Sequence, residues 1–323
     1  MNKEPIVSIF CITYNHASYI LQCIEGFLNQ KTSFPFEIII NDDCSTDGTV
    51  DILKDYYKKA PDIIRLVLHD ENCYSKGIKQ IILNYIYPIA RGKYFALCEG
   101  DDYWTDPNKL QMQVDFLESH PEYSMCFHDV DIKAEKGREW YDVFGKLEDR
   151  DYTGMENMVT WSVPTCSMVM RRDVYAHIPQ NPKFTMGDNV VVLTASRMGR
   201  IRCIPRKMGV YRLTPTSWIG GQSAKVQRYK YISHYYGLIE EFEECRCTAM
   251  YDILENQYFQ LLSILKREGN KEEFENVKAE YLNYPGENHF SRFQSYYTKD
   301  RIRNTLKSLL GYSFVKMYRK MRG

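Results

Sequence analysis

The sequence predicts an α/β protein with a mostly parallel central sheet flanked by helices, followed by a helical appendage. Three observations lead there. Short β-rich runs alternate with amphipathic runs of helical period, joined by short links. No low-complexity tract or internal repeat interrupts them. Beyond about residue 222 the pattern becomes purely helical, which divides the chain into residues 1–221 and 222–323.

Ile6–Ile12 is a continuous β-rich run and the first expected strand. Ala17–Gln30 follows with Ile20, Leu21, Ile24, Phe27 and Leu28 at helical spacing, so these five form its buried stripe. Phe36–Ile40 is the second strand and ends at Asn41-Asp42-Asp43. Ser45, Thr46 and Asp47 then supply helix-start chemistry ahead of Val50, Leu53 and Tyr57. Ile63–Leu68 is the third strand, Ser75–Ile89 a helix, and Tyr94–Cys98 the fourth strand. Asp106-Pro107 opens a further helix with proline in its first turn, and Leu110, Val114 and Leu117 form its stripe. Tyr123–Ile132 reads as a strand carrying His128, which is expected in the core. Residues 134–160 are polar and irregular. Val163–Met170 is strand-like, Asn189–Met198 helical and Ile201–Tyr211 two short strands. Tyr229–Glu243, Met250–Arg267 and Lys271–Tyr281 are helices. Asp300–Arg322 mixes Leu306, Leu309, Leu310 and Phe314 with seven basic residues and predicts a basic amphipathic helix suited to an anionic membrane surface.

The bulk properties exclude several classes. Lys plus Arg and Asp plus Glu both number 42, so no global charge favours nucleic acid. The ten cysteines are scattered, with no Cys-x-x-Cys pair, and read as buried thiols. Met1-Asn2-Lys3-Glu4-Pro5 has no leader character, and no apolar stretch is long enough to span a bilayer. The expectation is a cytoplasmic protein, held at the inner membrane face if its last helix binds lipid.

The chemistry concentrates in Glu99-Gly100-Asp101-Asp102, directly after the apolar run Tyr94–Cys98. Ligands of open α/β sheets bind outside the carboxyl ends of the strands. Carboxylates this close repel one another unless a cation lies between them, and Mg2+ or Mn2+ with oxygen ligands and substrate phosphates is the usual answer. Asp42-Asp43 ends a second strand, and Thr13-Tyr14-Asn15-His16 follows the first, so all three clusters are expected on one sheet edge. Neither a Gly-x-Gly-x-x-Gly loop nor a Walker lysine motif is present to cradle phosphates.

Val7–Asn15 (VSIFCITYN), Ile38–Thr49 (IIINDDCSTDGT), Tyr94–Trp104 with Asp106-Pro107, and Gly187-Asp188-Asn189 resemble the family 2 glycosyltransferases of the GT-A fold, of the inverting, bacterial surface-polysaccharide type. The resemblance covers roughly residues 6–218. It implies that Thr13, Tyr14 and Asn15 line the nucleotide pocket and that Asp43 accepts the N3–H of a uracil or thymine base. It places Glu99 at the ribose, Asp101 on the metal and Asp102 at the donor sugar, with Gly100 in the donor site; Trp104, from its position beside the acidic turn, is expected to contact the ligand. It makes Asp188 the general base that takes the acceptor hydroxyl's proton, where the alternative is a cap on the helix near Val190. The implied partners are a UDP- or dTDP-sugar donor, a glycan or lipid-linked acceptor, and Mn2+ or Mg2+.

Two departures accompany the resemblance. The histidine common after Tyr-Arg is missing, since the chain reads Tyr211-Arg212-Leu213-Thr214, and the Gln-x-x-Arg-Trp motif of processive synthases is absent. Addition of a single sugar is therefore expected. The alternatives are a sugar-phosphate nucleotidyltransferase, which would need a glycine-rich loop with a basic residue after the first strand, and a non-catalytic carbohydrate-binding protein.

Overall fold

The computed structural model describes residues 4–215 and 222–283. The expected helix Asp300–Arg322 lies outside these residues. Among the described residues, those up to Gln222 together with Ser233–Arg246 form one compact unit. Ser223–Ile232 and those from Cys247 onward form the other.

The first unit is built on a sheet of nine strands among the described residues. β1 (Val7–Thr13), β2 (Phe36–Asp42), β3 (Ile64–Leu68) and β4 (Tyr94–Leu97) are mutually parallel in the order β3-β2-β1-β4. The chain leaves β1 towards β2 and β3, then crosses back to place β4 on the other side of β1. That crossover is a topological switch point, where the ends of neighbouring strands diverge and leave a crevice.

The sheet continues as β8 (Val169–Arg171), β6 (Tyr123–Ala134), β9 (Arg200–Leu213) and β5 (Tyr103–Trp104). β8 is antiparallel to β4 and to β6, whereas β6 and β9 are parallel. β5 and β7 (Asp151–Tyr152) both run antiparallel to β9. The expected α/β sheet flanked by helices is thus present, parallel up to β4 and mixed beyond it.

Alternation along the strands fills a core on each face. Val7, Ile9 and Cys11 of β1 face a cluster with Ile38, Ile40, Tyr94 and Ala96. On this side lie α1 (Ile20–Leu28), α2 (Thr49–Lys59) and α3 (Lys109–Ser119). Phe10, Ile39, Phe95 and Leu97 face the opposite cluster, joined by Tyr175 of α5 (Arg172–Ala176) and Val191 and Val192 of α6 (Gly187–Met198). A sheet buried on both faces produces the continuous apolar runs seen in the sequence. Leu110, Val114 and Leu117 form the buried stripe expected of α3. Leu21 does not join that of α1, being 47% exposed, because Cys23 takes the inward position.

Other local expectations change. Residues 75–89 hold only a π-helical turn at Ile82–Ile86 and a 3-10 turn at Tyr87–Ile89, not a continuous α-helix. Within 163–170, Thr165–Ser167 is a 3-10 turn and pairing begins only at Val169. The two short strands expected over 201–211 are the single strand β9, kept continuous by pairing with β6 across register shifts near His128 and Asp129. The 134–160 segment includes β7 and α4 (Gly154–Thr160), whose N-cap Thr153 accepts the Glu156 amide.

In the second unit the first half of α7 (Ala224–Glu241), α8 (Thr248–Glu268) and α9 (Lys271–Leu282) associate through polar ties. Arg228 donates to Gln257 and Gln260, Tyr281 donates to Glu255, and Lys225 pairs with Glu268 and Glu273.

Gly26 sets the approach of α1 to the sheet. A Cβ there would lie 2.8 Å from the Trp104 carbonyl oxygen and 3.0 Å from its amide nitrogen. Neither backbone atom moves without displacing β5. Gly26→Ala is therefore expected to destabilise the fold by about 1–3 kcal/mol, the usual effect of overpacking. Thermal denaturation checks this, and an unchanged melting temperature would mean that α1 and β5 separate freely.

Candidate active site

The chain does not leave β1 when β4 ends. The Cys98 amide donates to the Phe10 carbonyl at 3.1 Å, and the Gly100 amide to Ile12 at 2.9 Å. These two bonds carry Glu99–Asp102 along β1 as far as Thr13. On the other side of β1, the Asp43 amide donates to the Thr13 carbonyl at 3.0 Å. The three polar clusters therefore meet at the carboxyl edge of the sheet, at the switch point.

Gly100 is required by this closeness. A Cβ would come within 2.8 Å of Thr13 Oγ1 and 2.9 Å of His16 Nδ1. Both of those atoms are buried without a hydrogen-bond partner among the described residues. Tyr14 is exposed. Asn15 adopts a positive φ of 54°, its amide donates to Ser45 Oγ and its Oδ1 accepts from the Thr46 amide. Asp47 ties the same loops by accepting from the Ala17 and Thr49 amides; burial pushes its pKa up, but the Thr49 hydroxyl and these amides together hold it down.

Asp42 and Asp43 differ in their partners. Asp42 accepts from the amide and hydroxyl of Ser45. Asp43 is buried, and its two oxygens accept from the Cys73 and Tyr74 amides at 2.7 and 3.1 Å. Its carboxylate shapes the 72–74 turn, and each oxygen retains a second lone pair.

Carboxylate oxygens of Glu99, Asp101 and Asp102 all lie within 4.8 Å of one another. An all-oxygen, multiply charged donor set at this spacing suits a hard divalent cation. Asp102 is fully buried; its Oδ1 accepts the Arg212 amide at 2.7 Å, while Oδ2 has no hydrogen-bond partner among the described residues. Burial, then the charges of Asp101 and Glu99, drive its pKa well up. Glu99 presents surface to solvent yet lies in the concavity, and desolvation followed by Asp101 and Asp188 pushes its carboxyl up to about 8.

Arg212 partly offsets this charge. Its guanidinium is buried, donates to the Asp101 carbonyl and to Gln22, and lies 3.3 Å from Glu135. The ring of Tyr103 packs against it with its centroid 4.3 Å away. Thr214 donates to Asp101 Oδ2 at 3.3 Å. Neither residue was expected here, because the Tyr211-Arg212 pair drew attention only for the histidine that does not follow it. The usable signal was a basic residue within the apolar last stretch of β9, residues 208–213, of a chain with an unbalanced acidic turn.

Asp188 sits in the first turn of α6, after the N-cap Met186, so it is not the cap residue. The helix amides favour its ionised form, and its Oδ1 accepts from Asn189 at 2.9 Å. Burial outweighs both and raises its pKa to about 6. Its charge also raises Glu99 and Tyr211, so it lies within electrostatic reach of the acidic turn.

Trp104 is a correction. Its ring is buried against Phe27 at 4.7 Å with the Lys109 amine 3.9 Å above it, and its Nε1 donates to the Cys166 carbonyl at 2.7 Å. β5 turns it into the core, where 3% of its surface is left for a ligand to touch. His128 is the expected core histidine, its Nδ1 donating to the Asp129 carbonyl at 2.7 Å.

Residues 8–178 match the family model described as Glycosyl transferase family 2. The chain belongs to that family. An uncharacterized protein of Mycobacterium tuberculosis is 38% identical over 208 residues, which are 64% of this chain and 58% of that protein. The chain thus spans less than two thirds of that relative's length. TarS of S. aureus in complex with UDP-GlcNAc shares the fold, with a TM-score of 0.56, 17% identity, and coverage of 82% of this chain and 73% of the other. So does the mannosyltransferase PcManGT from Pyrobaculum calidifontis in complex with GDP-Man and Mn2+, with a TM-score of 0.56, 15% identity, and coverage of 94% and 88%. The GT-A type of sheet expected from the sequence is the one found.

Glu99 and Asp188 both hold pKa values above those of an unfolded chain, so folding takes up protons. The stability they contribute is complete below about pH 4 and is lost as pH rises through about 6 and about 8. Buried His128, His234 and Lys109, whose pKa values are lowered, act in the opposite sense, so the carboxylate contribution is read against Glu99→Gln. Without divalent cations the melting temperature of the wild type relative to Glu99→Gln is expected to fall between about pH 5 and pH 8, and manganese to flatten that fall. Calorimetric scans of both proteins across this range check it; a difference that does not change with pH would mean that Glu99 is not held among the other carboxylates.

Proposed function

We propose that this chain is an inverting, metal-dependent glycosyltransferase that adds one sugar from a nucleotide-diphosphate sugar to a glycan or lipid-linked acceptor. One observation carries the proposal: Asp188, a carboxylate of raised proton affinity, faces the triad Glu99, Asp101 and Asp102 at the switch point. Family membership and the nucleotide-sugar complexes of two fold neighbours support it. The surface-polysaccharide setting rests on the resemblance of the sequence motifs.

In this proposal Thr13, Tyr14 and Asn15 line the nucleotide pocket, and Asp43 offers its remaining lone pairs to the base N3–H of UDP or dTDP. Glu99 meets the ribose, Gly100 lets the acidic turn lie close against Thr13 and His16 in the donor site, and Asp102 borders the donor sugar. Asp101, with its neighbours, would hold Mn2+ or Mg2+, whose charge would stabilise the departing diphosphate. Asp188 takes the proton of the acceptor hydroxyl as its oxygen bonds to the anomeric carbon. The bond from that carbon to the diphosphate oxygen breaks, and the nucleoside diphosphate leaves with the electron pair. A base with a pKa of about 6 is ionised at neutral pH yet still basic enough to accept the proton. A nucleotidyltransferase reading gains no support, since no glycine-rich basic loop follows β1.

The test is nucleoside diphosphate release and sugar transfer from UDP-, dTDP- and GDP-sugars, with and without manganese. UDP- or dTDP-sugars are expected to be consumed only with the cation, and the rate to rise with pH through about 6. Asp188→Asn is expected to lower turnover by about two to four orders of magnitude with donor affinity nearly intact. Turnover of GDP-sugars alone refutes the base assignment, full activity in Asp188→Asn refutes the general base, and no turnover of any donor refutes glycosyl transfer.

A further inference from the structure

The segment between β6 and β7 is fastened at its middle and open at its tip. Phe144 and Leu147 are buried, one in each core cluster. Between them and β6, Trp140 is 63% exposed and Tyr141 46% exposed. Two adjacent exposed aromatic rings make a patch of the kind enriched at binding surfaces, where tryptophan and tyrosine offer an apolar face with a polar tip. This indole is also oriented, because its Nε1 donates to the Ile132 carbonyl at 3.2 Å. Arg138, two residues earlier, makes no ion pair among the described residues, and its Nε is buried without a hydrogen-bond partner.

This open tip adjoins the candidate active site. Ile132, which anchors the indole, is paired with Tyr211 across the β6–β9 ladder. The ring of Phe144 packs edge-on against that of Tyr211 at 5.0 Å. Tyr211 in turn lies in the field of Glu99, Asp101, Asp102 and Asp188. The β6–β9 ladder thus carries an aromatic ledge, with Trp140 tied to Ile132 and Tyr211 at its inner end within electrostatic reach of the carboxylates. A fixed, exposed indole suits the apolar C–H face of a pyranose ring, and Arg138, two residues away in the chain and without an ion pair among the described residues, suits the hydroxyl or anionic groups of the same ligand.

We propose that Trp140 and Tyr141, with Arg138 beside them, form the acceptor subsite and that its ligand is a saccharide. The proposal rests on the glycosyl-transfer reading above. The donor is bound by other residues, so changes on this ledge are expected to act on the acceptor alone.

Donor hydrolysis without acceptor and transfer to acceptor separate the two readings. Wild type, Trp140→Ala, Trp140→Phe and Tyr141→Ala are assayed with the sugar nucleotide that the wild type consumes. The acceptors are tetrasaccharides of glucose, of N-acetylglucosamine, and of alternating glucuronate and N-acetylglucosamine. At least one is expected to accelerate donor consumption in the wild type. Trp140→Ala is then expected to raise the KM for that saccharide about tenfold, with kcat and hydrolysis unchanged, and Trp140→Phe to recover most of the loss. An unchanged acceptor KM in Trp140→Ala overturns the proposal. So does a parallel fall in hydrolysis, or wild-type hydrolysis that no saccharide accelerates. A wild type that consumes no donor at all overturns the glycosyl-transfer reading, and this proposal with it.

Discussion

Four carboxylates share one edge of this sheet, and their mutual repulsion is the constraint to which the surrounding structure answers. Glu99, Asp101 and Asp102 are held together by the backbone, because pairing with β1 continues past the end of β4. Asp188 approaches them from α6. Buried Arg212 supplies positive charge from behind, contacting Asp102 with its amide and the Asp101 carbonyl with its guanidinium. That single cation does not balance four acids: burial and then the neighbouring carboxylate charges raise the proton affinities of Glu99 and Asp102, and burial raises that of Asp188. An arrangement that is costly when empty of cations favours binding them.

The two halves of the sheet divide the work. The parallel half, β3-β2-β1-β4, delivers Thr13, Asp43 and the acidic turn to the switch point by topology alone. The mixed half supplies what holds and faces that turn. β5 buries Trp104 beneath it, antiparallel pairing of β5 with β9 brings Arg212 beside Asp102, and the β6–β9 ladder carries the aromatic ledge. Local rigidity follows from side chains that join loops distant in sequence. Asn15, Asp47 and Asp43 lace the 13–17, 43–49 and 72–74 segments together through backbone amides.

The parallel half was legible because buried strands and amphipathic helices impose their periods directly on the residues. Leu110, Val114 and Leu117 announced α3, and the acids at the ends of β2 and β4 announced the edge where they gather. What stayed hidden depended on long-range pairing. β8 and β5 are too short to carry a period, and β9 contains Pro205 and a run of basic residues that read as a break until β6 is seen to pair along it. Trp104 misled for a related reason. Its neighbours in sequence are the acidic turn, but two residues of strand rotate its ring to the core face. Arg212 was hidden because a buried counter-charge has no local pattern; only the fold brings it within reach of residues 110 positions away.

The central claim is that the acidic turn is a cation site through which a nucleoside diphosphate is held, with Asp101 as its chief ligand. Calorimetric titration of UDP into wild type and Asp101→Asn, each with and without manganese, tests it most directly. Asparagine keeps the volume and removes the charge, so the fold is expected to survive, as circular dichroism would verify. The account predicts UDP binding that requires manganese in the wild type and is lost in Asp101→Asn. Equal manganese-dependent binding by the two proteins would contradict it.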